Sequence, residues 1–432
     1  MLDIKYIRDN PEEVVARLEA KGFADSSRLV ERIIFLHNEQ TTLVAALDES
    51  RALRNATSKQ VPIDKAAGKD VSETLAQMKA LGDTIKSGEV TFASNESELT
   101  ELLQGLPNLP DRDIPSGDKE NNQVISSHGQ LPTFDFTAQN HVDLCTSLGL
   151  IDYERAAKLS GSGYIMYNGM GALMEWAMLN YFLDFHRANG YEFVLVPHIL
   201  EEACGFTSGQ LPKFKEDVFW LEKREESTSG HRHFLLPTSE TALVSLHRDE
   251  ILNMADLPRK YVTYTPCFRR EAGSYRSDER GMVRGHQFNK VEMVQYTTPE
   301  NSDAAFEAML ASAQALMDGL GLHYRTVKLA AGDISHAMAR TFDIEVYFPS
   351  QGGYKEVSSV SNAREYQARR GMMRFRREAG AKPEYLHTLN GSGLATSRIF
   401  PAICEQFQQS DGSILVPEVL QKYVGVERIV KK

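Results

Sequence analysis

Residues 265–296 read TPCFRREAGSYRSDERGMVRGHQFNKVEMVQY: two strand-like arms around a turn-rich centre that holds Gly273, Ser274, Asp278 and Gly281. Five arginines, Arg269, Arg270, Arg276, Arg280 and Arg284, fall between the two ends. A guanidinium fork grips phosphate or carboxylate with two parallel hydrogen bonds, so arginines rooted in a strand beside a loop suit an anionic ligand. A solvated hairpin is the competing reading. Further strand-like runs lie at Lys260 to Cys267, Gln287 to Thr297 and Thr341 to Phe348, and an amphipathic helix over Ala172 to Asn189 leads into the apolar run Tyr191 to Ile199, interrupted by Pro197. Helices and strands do not alternate with the regularity of a parallel βαβ fold. The pattern predicts an α+β chain, an antiparallel sheet flanked by helices.

Towards the N-terminus the pattern changes. LPNLPDRDIPSGDKENNQVISSHGQLP, residues 106–132, is rich in Pro, Asp, Asn, Ser and Gly and reads as an interdomain linker. The reading divides the chain into an N-terminal domain of residues 1–110, a linker over 111–132 and a larger domain over 133–432. Before the linker, Leu29, Ile33, Leu36, Gln40, Leu43, Leu47, Ser50 and Arg54 recur at alternating spacings of four and three. After a break at Pro62 and Gly68, a second seam runs through Leu75, Met78, Gly82, Ile85, Glu89, Phe92, Glu96, Leu99 and Leu103. Two seams joined by a short break predict an antiparallel helical hairpin over about residues 28–104, projecting about 50 Å at ~1.5 Å per residue. A dimerising or packing coiled coil is the plain alternative.

With 432 residues, of which 42% are hydrophobic and 25% charged, the composition is that of a globular protein rather than a disordered or fibrous one. Cys145, Cys204, Cys267 and Cys404 are scattered without a C-x-x-C pair, which suits a reducing compartment. No run approaches the length of a membrane span, and the opening MLDIKYIRDNPEE has neither the apolar core of a signal peptide nor the arginine-rich character of a transit peptide. A cytoplasmic protein is the expectation. The 48 Lys and Arg against 59 Asp and Glu give a net charge of −11, so any nucleic-acid contact must be local. There is no P-loop, no G-x-S-x-G elbow and no His-Glu-x-x-His. Gly169 and Gly171 supply only part of a dinucleotide fingerprint and read as a helix-start turn, while His231 and His233 read as a solvated loop.

Phe268-Arg269-Arg270-Glu271 resembles the start of motif 2 of the class II aminoacyl-tRNA synthetases. The string FRREAG followed by ERG-x-x-R-x-HQF-x-KVEM is similar to the seryl-tRNA synthetase version. PTSE at Pro237 to Glu240 resembles that family's Thr-Ala-Glu serine-site segment, KEVSSVSNAREYQARR at 355–370 its Glu-[Ile/Val]-Ser-Ser-x-Ser-Asn segment, and LNGSGLATSR at 389–398 its motif 3. The helix and strand ending at Pro197 resemble motif 1, and the heptad hairpin resembles the family's N-terminal arm.

The resemblance implies roles. Arg269 would clamp the α-phosphate and the serine carboxylate. Glu271 would hold the adenine amino group, and Phe288 and Arg398 would sandwich its ring, with Arg398 also meeting the γ-phosphate. Arg270, Gly285, Val357 and Ser358 complete the implied ATP site, and Glu356 and Ser359 would offer oxygens to Mg²⁺. Thr238, Ser239, Glu240, Glu292, Asn390 and Ser392 would form the serine site with Arg269. Catalysis is assigned to Arg269, Arg398 and Glu356. Two positions depart from the family's common motif 3, Ser397 where Gly is usual and Gly393 where Ala is usual. Cys267 lies beside motif 2, but the companion pattern of the zinc-dependent archaeal enzymes is missing, so no zinc is expected.

The basic run Arg364, Arg369, Arg370, Arg374, Arg376 and Arg377 either faces the tRNA acceptor end or pairs with acids such as Glu365 and Glu378. The resemblance further implies a homodimeric enzyme that makes seryl-adenylate from serine and ATP and loads the terminal adenosine of serine tRNA, with the charging of selenocysteine tRNA left open. A ligase that loads a carrier protein and a non-catalytic synthetase-like regulator are the rivals.

Overall fold

The structure, a computed structural model, describes residues 1–222, 232–271 and 282–431. It divides into two units, Met1–Glu19 with Phe23–Pro107, and Ala20–Gly22 with Asn108–Lys432.

In the first unit two short helices, α1 (Ile4–Asp9) and α2 (Pro11–Ala20), precede two long ones, α3 (Ser26–Ala66) and α4 (Ser72–Gly105). Arg32 pairs with Glu98, Asn95 donates to Glu39, and Arg51 pairs with Glu89, a descending register that makes the hairpin antiparallel. Its seam is the heptad one: Ile33, Leu36 and Leu47 of α3 and Ile85, Leu99 and Leu103 of α4 are all buried. The break expected at Pro62 falls later, because α3 runs through Pro62 to Ala66. Proline removes one amide donor and crowds the preceding turn, which is costly in mid-helix. Here a single exposed turn remains, and its freed carbonyl can face water.

The second unit is built on one eight-stranded sheet. Its strands are β1 (Gln123–His128), β2 (Glu192–Phe193), β3 (Arg259–Phe268), β4 (Gln287–Thr297), β5 (Tyr324–Lys328), β6 (Arg340–Phe348), β7 (Gly353–Arg364) and β8 (His387–Ala395), in the spatial order β1-β5-β6-β7-β8-β4-β3-β2. Every pairing is antiparallel except that of the short edge strand β2 with β3. The linker expected over 111–132 is corrected at 123–128, which adds β1 to the sheet edge. An edge strand is paired on one side only and needs no apolar alternation, and Val124 and Ile125 are both exposed.

Side chains alternate across a strand, so each strand shows one face to the helices and the other to the opposite side. Val291 and Met293 of β4, Phe342, Ile344, Val346 and Phe348 of β6, Val357 and Val360 of β7 and Leu389 of β8 pack into one core with helices α5 (Met170–Ala188) and α6 (Ser302–Leu320). The alternate positions are polar: Lys290 and Glu292 of β4, Thr341, Asp343 and Glu345 of β6, Ser359 and Ser361 of β7, Asn390 and Ser392 of β8. That polar face floors a large cavity.

Gly169 starts α5 with φ of 48°, and a Cβ on Gly171 would overlap the Leu150 carbonyl, so both glycines serve a helix start. The departure at Gly393 also has a local cause. His186, from α5, fills the space a side chain would need and lies 3.0 Å by Nε2 from the Gly393 carbonyl.

Candidate active site

The polar face opens into a cavity of about 750 Å³. Thr238, Glu240, Arg269, Glu271, Glu292, Glu356, Ser359, Asn390, Ser392 and Arg398 all line it, although the chain separates the first from the last by 160 positions. Three sheet neighbours bring the central ones together. In the ladder Glu292 stands opposite Thr263 on one side and Ser392 on the other, and Asn390 stands opposite Val294.

One end of the cavity is carboxylate-rich. The Lys290 ammonium donates to Thr238 Oγ1 at 2.7 Å and lies against Glu292 Oε2. Glu240 accepts from Gln367 Nε2 at 2.8 Å. Burial and the neighbouring Glu292 charge push the Glu240 carboxyl up to about 7, against the pull of Gln367 and Lys290. A cation entering here would be welcomed by two carboxylates that share one lysine.

The other end is mixed. Arg269 donates from Nε to the Pro237 carbonyl at 3.1 Å, and its guanidinium lies 5.1 Å from the Phe288 ring centre. Arg284 holds Glu271 at 2.9 Å. Arg398 donates to the Glu356 carbonyl at 2.6 Å and sits 3.4 Å from Glu356 Oε2. The cation over Phe288 is thus Arg269, while Arg398 is bound to Glu356.

Hard oxygens line the floor between the two ends. Asp343 stands opposite Ser359 and Glu345 opposite Glu356 in the β6–β7 ladder. Burial and the nearby Glu356 hold the Asp343 carboxyl well above its usual range, and its Oδ1 has no partner. Among the described residues no three His, Cys, Asp or Glu side chains form a ready-made cage. Hard, incompletely partnered oxygens without a cage suit Mg²⁺, which keeps waters and shares its shell with phosphates.

Several residues implied by the resemblance do not reach the cavity. Ser239 is fully buried and bonded to Thr265 at 2.6 Å. Val357 is in the core, and Ser358 Oγ donates to the Ser392 carbonyl at 2.7 Å. Arg270, beyond the end of β3, lines a separate depression with His286 and Tyr164. Neither Gly285 nor Phe288 lines the cavity, although Phe288 adjoins it through Arg269. Gly273, Ser274, Arg276, Asp278, Arg280, Gly281 and His231 lie outside the described residues.

The structure adds residues the sequence reading passed over. Lys290 could have been found from alternation, two places from both Phe288 and Glu292. Asp343, Glu345 and Gln367 carry no local signal, since each meets the site only through a strand neighbour or a distant partner. In the basic run, Arg369 pairs with Glu365, Arg377 with Glu300 and Glu384, and Arg364 with Asp111 and Asp303, which favours the structural reading, with Glu378 replaced by other acids.

Comparison with known proteins agrees with this geometry. A family model described as the tRNA synthetase class II core domain (G, H, P, S and T) matches residues 219–407, and the Seryl-tRNA synthetase N-terminal domain matches residues 1–110. The chain is 51% identical to Serine–tRNA ligase 2 of Clostridium acetobutylicum, over 99% of this chain and 100% of that one, and 42% identical to the Serine–tRNA ligase of Thermodesulfovibrio yellowstonii, again over 99% and 100%. Among solved structures, seryl-tRNA synthetase from Pyrococcus horikoshii complexed with ATP superposes with a TM-score of 0.94 at 33% identity, covering all of both chains.

Proposed function

The chain belongs to the seryl-tRNA synthetases, a family of class II aminoacyl-tRNA synthetases, and from that premise we propose the part each residue of the cavity plays. The protein is an ATP-dependent serine–tRNA ligase: it joins serine to ATP as seryl-adenylate, releasing pyrophosphate, and passes the seryl group to tRNA.

The observation that carries the assignment is the meeting of Arg269 with Thr238, Glu240, Lys290 and Glu292 in one cavity. Serine enters with its ammonium among Glu240 and Glu292 and its carboxylate towards Arg269. That same guanidinium meets the α-phosphate, so it draws nucleophile and electrophile together and offsets charge as the carboxylate attacks phosphorus and pyrophosphate leaves. No side chain forms a covalent bond with substrate. The serine hydroxyl finds its partners among Thr238, Glu240, Asn390 and Ser392. A site lined to hydrogen-bond a hydroxyl rejects alanine, which would leave those buried groups unpaired, while threonine is refused by shape.

Glu271, braced by Arg284, takes the adenine amino group, and Phe288 offers its face to the ring. Arg398 leaves Glu356 for the γ-phosphate when ATP arrives. Glu356 and Ser359, with Asp343 beside them, would hold Mg²⁺ against the phosphates, where the ion neutralises their charge. The helical hairpin grips serine tRNA by shape and phosphate contacts, which need only local positive charge on an acidic protein. The exposed Leu173 and Trp176 of α5, with Leu195 just beyond β2, form the seam of a homodimer. The enzyme works in the cytoplasm; no helix among the described residues is long and apolar enough to cross a membrane.

The test is serine-dependent ATP–pyrophosphate exchange with Mg²⁺, beside threonine, alanine and glycine, with charging of serine and selenocysteine tRNAs measured next. Exchange specific to serine together with serine tRNA charging is the expected result. Serine exchange without charging would move the assignment to the carrier-loading ligase, and no exchange would overturn the enzymatic reading.

A further inference from the structure

Gln367 lies in the segment 355–370, has no exposed surface and does not line the cavity, yet every polar atom of its amide is used. Nε2 donates to Glu240 Oε1 at 2.8 Å and to the Ser208 carbonyl at 2.9 Å, and Oε1 accepts from Thr388 Oγ1 at 2.6 Å. Because a carbonyl can only accept, the Ser208 contact fixes which end of the amide is nitrogen. That orientation in turn obliges the amide to donate to Glu240. Oε1 of Glu240 is thereby held from the protein side, while Asn390, which lines the cavity, supplies a further hydrogen bond to the same carboxyl.

We propose that Gln367 is a positioning residue for serine recognition: by holding Glu240 Oε1 through an amide locked between Ser208 and Thr388, it fixes the orientation in which the Glu240 carboxyl meets the amino acid. The proposal rests on Glu240 belonging to the serine site. Three elements meet at this amide. Ser208 ends the helix Glu202–Ser208, whose next residues Gly209 and Gln210 line the cavity, and Thr388 lies on β8 two positions before Asn390. The charged and polar groups facing Glu240 are Glu292 and Lys290 from β4, Asn390 from β8 and Gln367 itself. A carboxylate so close to another would otherwise turn from it or take up a proton, and the Gln367 donor favours the ionised form in one orientation.

The experiment compares Gln367→Leu, Gln367→Glu and Glu240→Gln by serine-dependent ATP–pyrophosphate exchange, with KM for serine and for ATP measured separately and kcat/KM for serine tracked from pH 5.5 to 9. Loss of a buried hydrogen bond to a charged group corresponds to about a tenfold to hundredfold weakening, so Gln367→Leu is expected to raise the serine KM by that factor and leave the ATP KM within about twofold. Gln367→Glu, nearly the same shape, sets carboxyl against carboxyl. The pair must then share a proton, and the acidic limb of the serine profile moves to higher pH. A merely structural glutamine would move both KM values together and leave the pH profile in place, which overturns the proposal. If Glu240→Gln raises the serine KM and neither Gln367 variant does, the positioning role fails while the serine site stands. If Glu240→Gln leaves the serine KM unchanged, the serine-site reading fails and the proposal with it. Should Gln367→Leu not fold, Gln367→Glu alone decides through its pH limb.

Discussion

Glu175 of α5 is buried, with Oε1 accepting from Asn289 at 2.7 Å and Thr396 at 2.5 Å. Burial pushes its carboxyl from 4.5 up to about 7, against the hydrogen bonds from Thr396, Asn289 and Tyr167. Between those values the folded chain holds a proton that the unfolded chain has released. Stability is therefore greatest below about pH 4.5, falls as pH rises to about 7, and is flat beyond. At about 1.4 kcal/mol for each pH unit, the full loss is about 3 kcal/mol, of which about 2.5 kcal/mol falls between pH 5 and 8.5. Glu175→Gln keeps the acceptor for Asn289 and Thr396 and has no proton to lose. Its stability relative to the parent should rise by about 2.5 kcal/mol between pH 5 and 8.5, whatever constant offset the new amide introduces. Both tryptophans of the chain, Trp176 and Trp220, lie in the catalytic unit, so fluorescence-detected guanidinium unfolding reads that unit alone. If parent and variant keep a constant separation across this range, Glu175 is ionised in the fold throughout, and the burial argument is refuted.

Other consequences are as direct. Arg269→Ala should lower pyrophosphate exchange by about a thousandfold, the scale for removing a preorganised donor from a charge-developing site, and Arg269→Lys should restore only part of it. An unimpaired Arg269→Ala enzyme would remove the residue from catalysis. Deleting residues 28–104 should spare serine-dependent exchange and abolish tRNA charging; equal loss of both would contradict the division of labour between the units. Gly393→Ala should destabilise the catalytic unit by about 1–3 kcal/mol through overlap with His186, with partial recovery in the double variant Gly393→Ala, His186→Ala. Strictly additive melting shifts would show that the two positions do not compete for space.

The strands that carry the chemistry were legible because their two faces differ in polarity. In β4, Val291 and Met293 enter the core while Lys290 and Glu292 line the cavity, and such alternation can be seen without knowing any partner. β1 was not legible, because a one-sided edge strand with exposed Val124 and Ile125 carries no burial pattern and sits in a stretch rich in turn-forming residues. Pro62 misled for a different reason: its cost depends on how much helix lies beyond it, which composition does not tell. The family motifs located Arg269, Glu292 and Arg398, but a motif is a run of neighbours whereas a strand sends neighbours apart. Ser358, on β7 beside Ser359, was therefore named with the site and bonds the Ser392 carbonyl instead, while Ser239, at the start of a helical turn, is buried against Thr265. Gln367 needed Glu240, 127 positions distant, before its amide meant anything.

Alternation across the sheet also governs how such a protein can change over time. Substitutions confined to Lys290 and Glu292 of β4 or to Asn390 and Ser392 of β8 would recut the cavity for another small molecule while leaving Val291, Met293 and Leu389 packed in the core on the opposite face, so specificity can drift with the core intact. Removing one residue from the middle of either strand does the opposite. Everything beyond the deletion changes face; in β4 the cavity receives Val291 or Met293 in place of Lys290 or Glu292, and the core receives charge. Tolerated changes of length should thus gather where the ladders already slip, between Val124 and Ser126, Ile344 and Glu345, Asn362 and Arg364, and Ser392 and Ala395, since there the sheet already absorbs an odd residue.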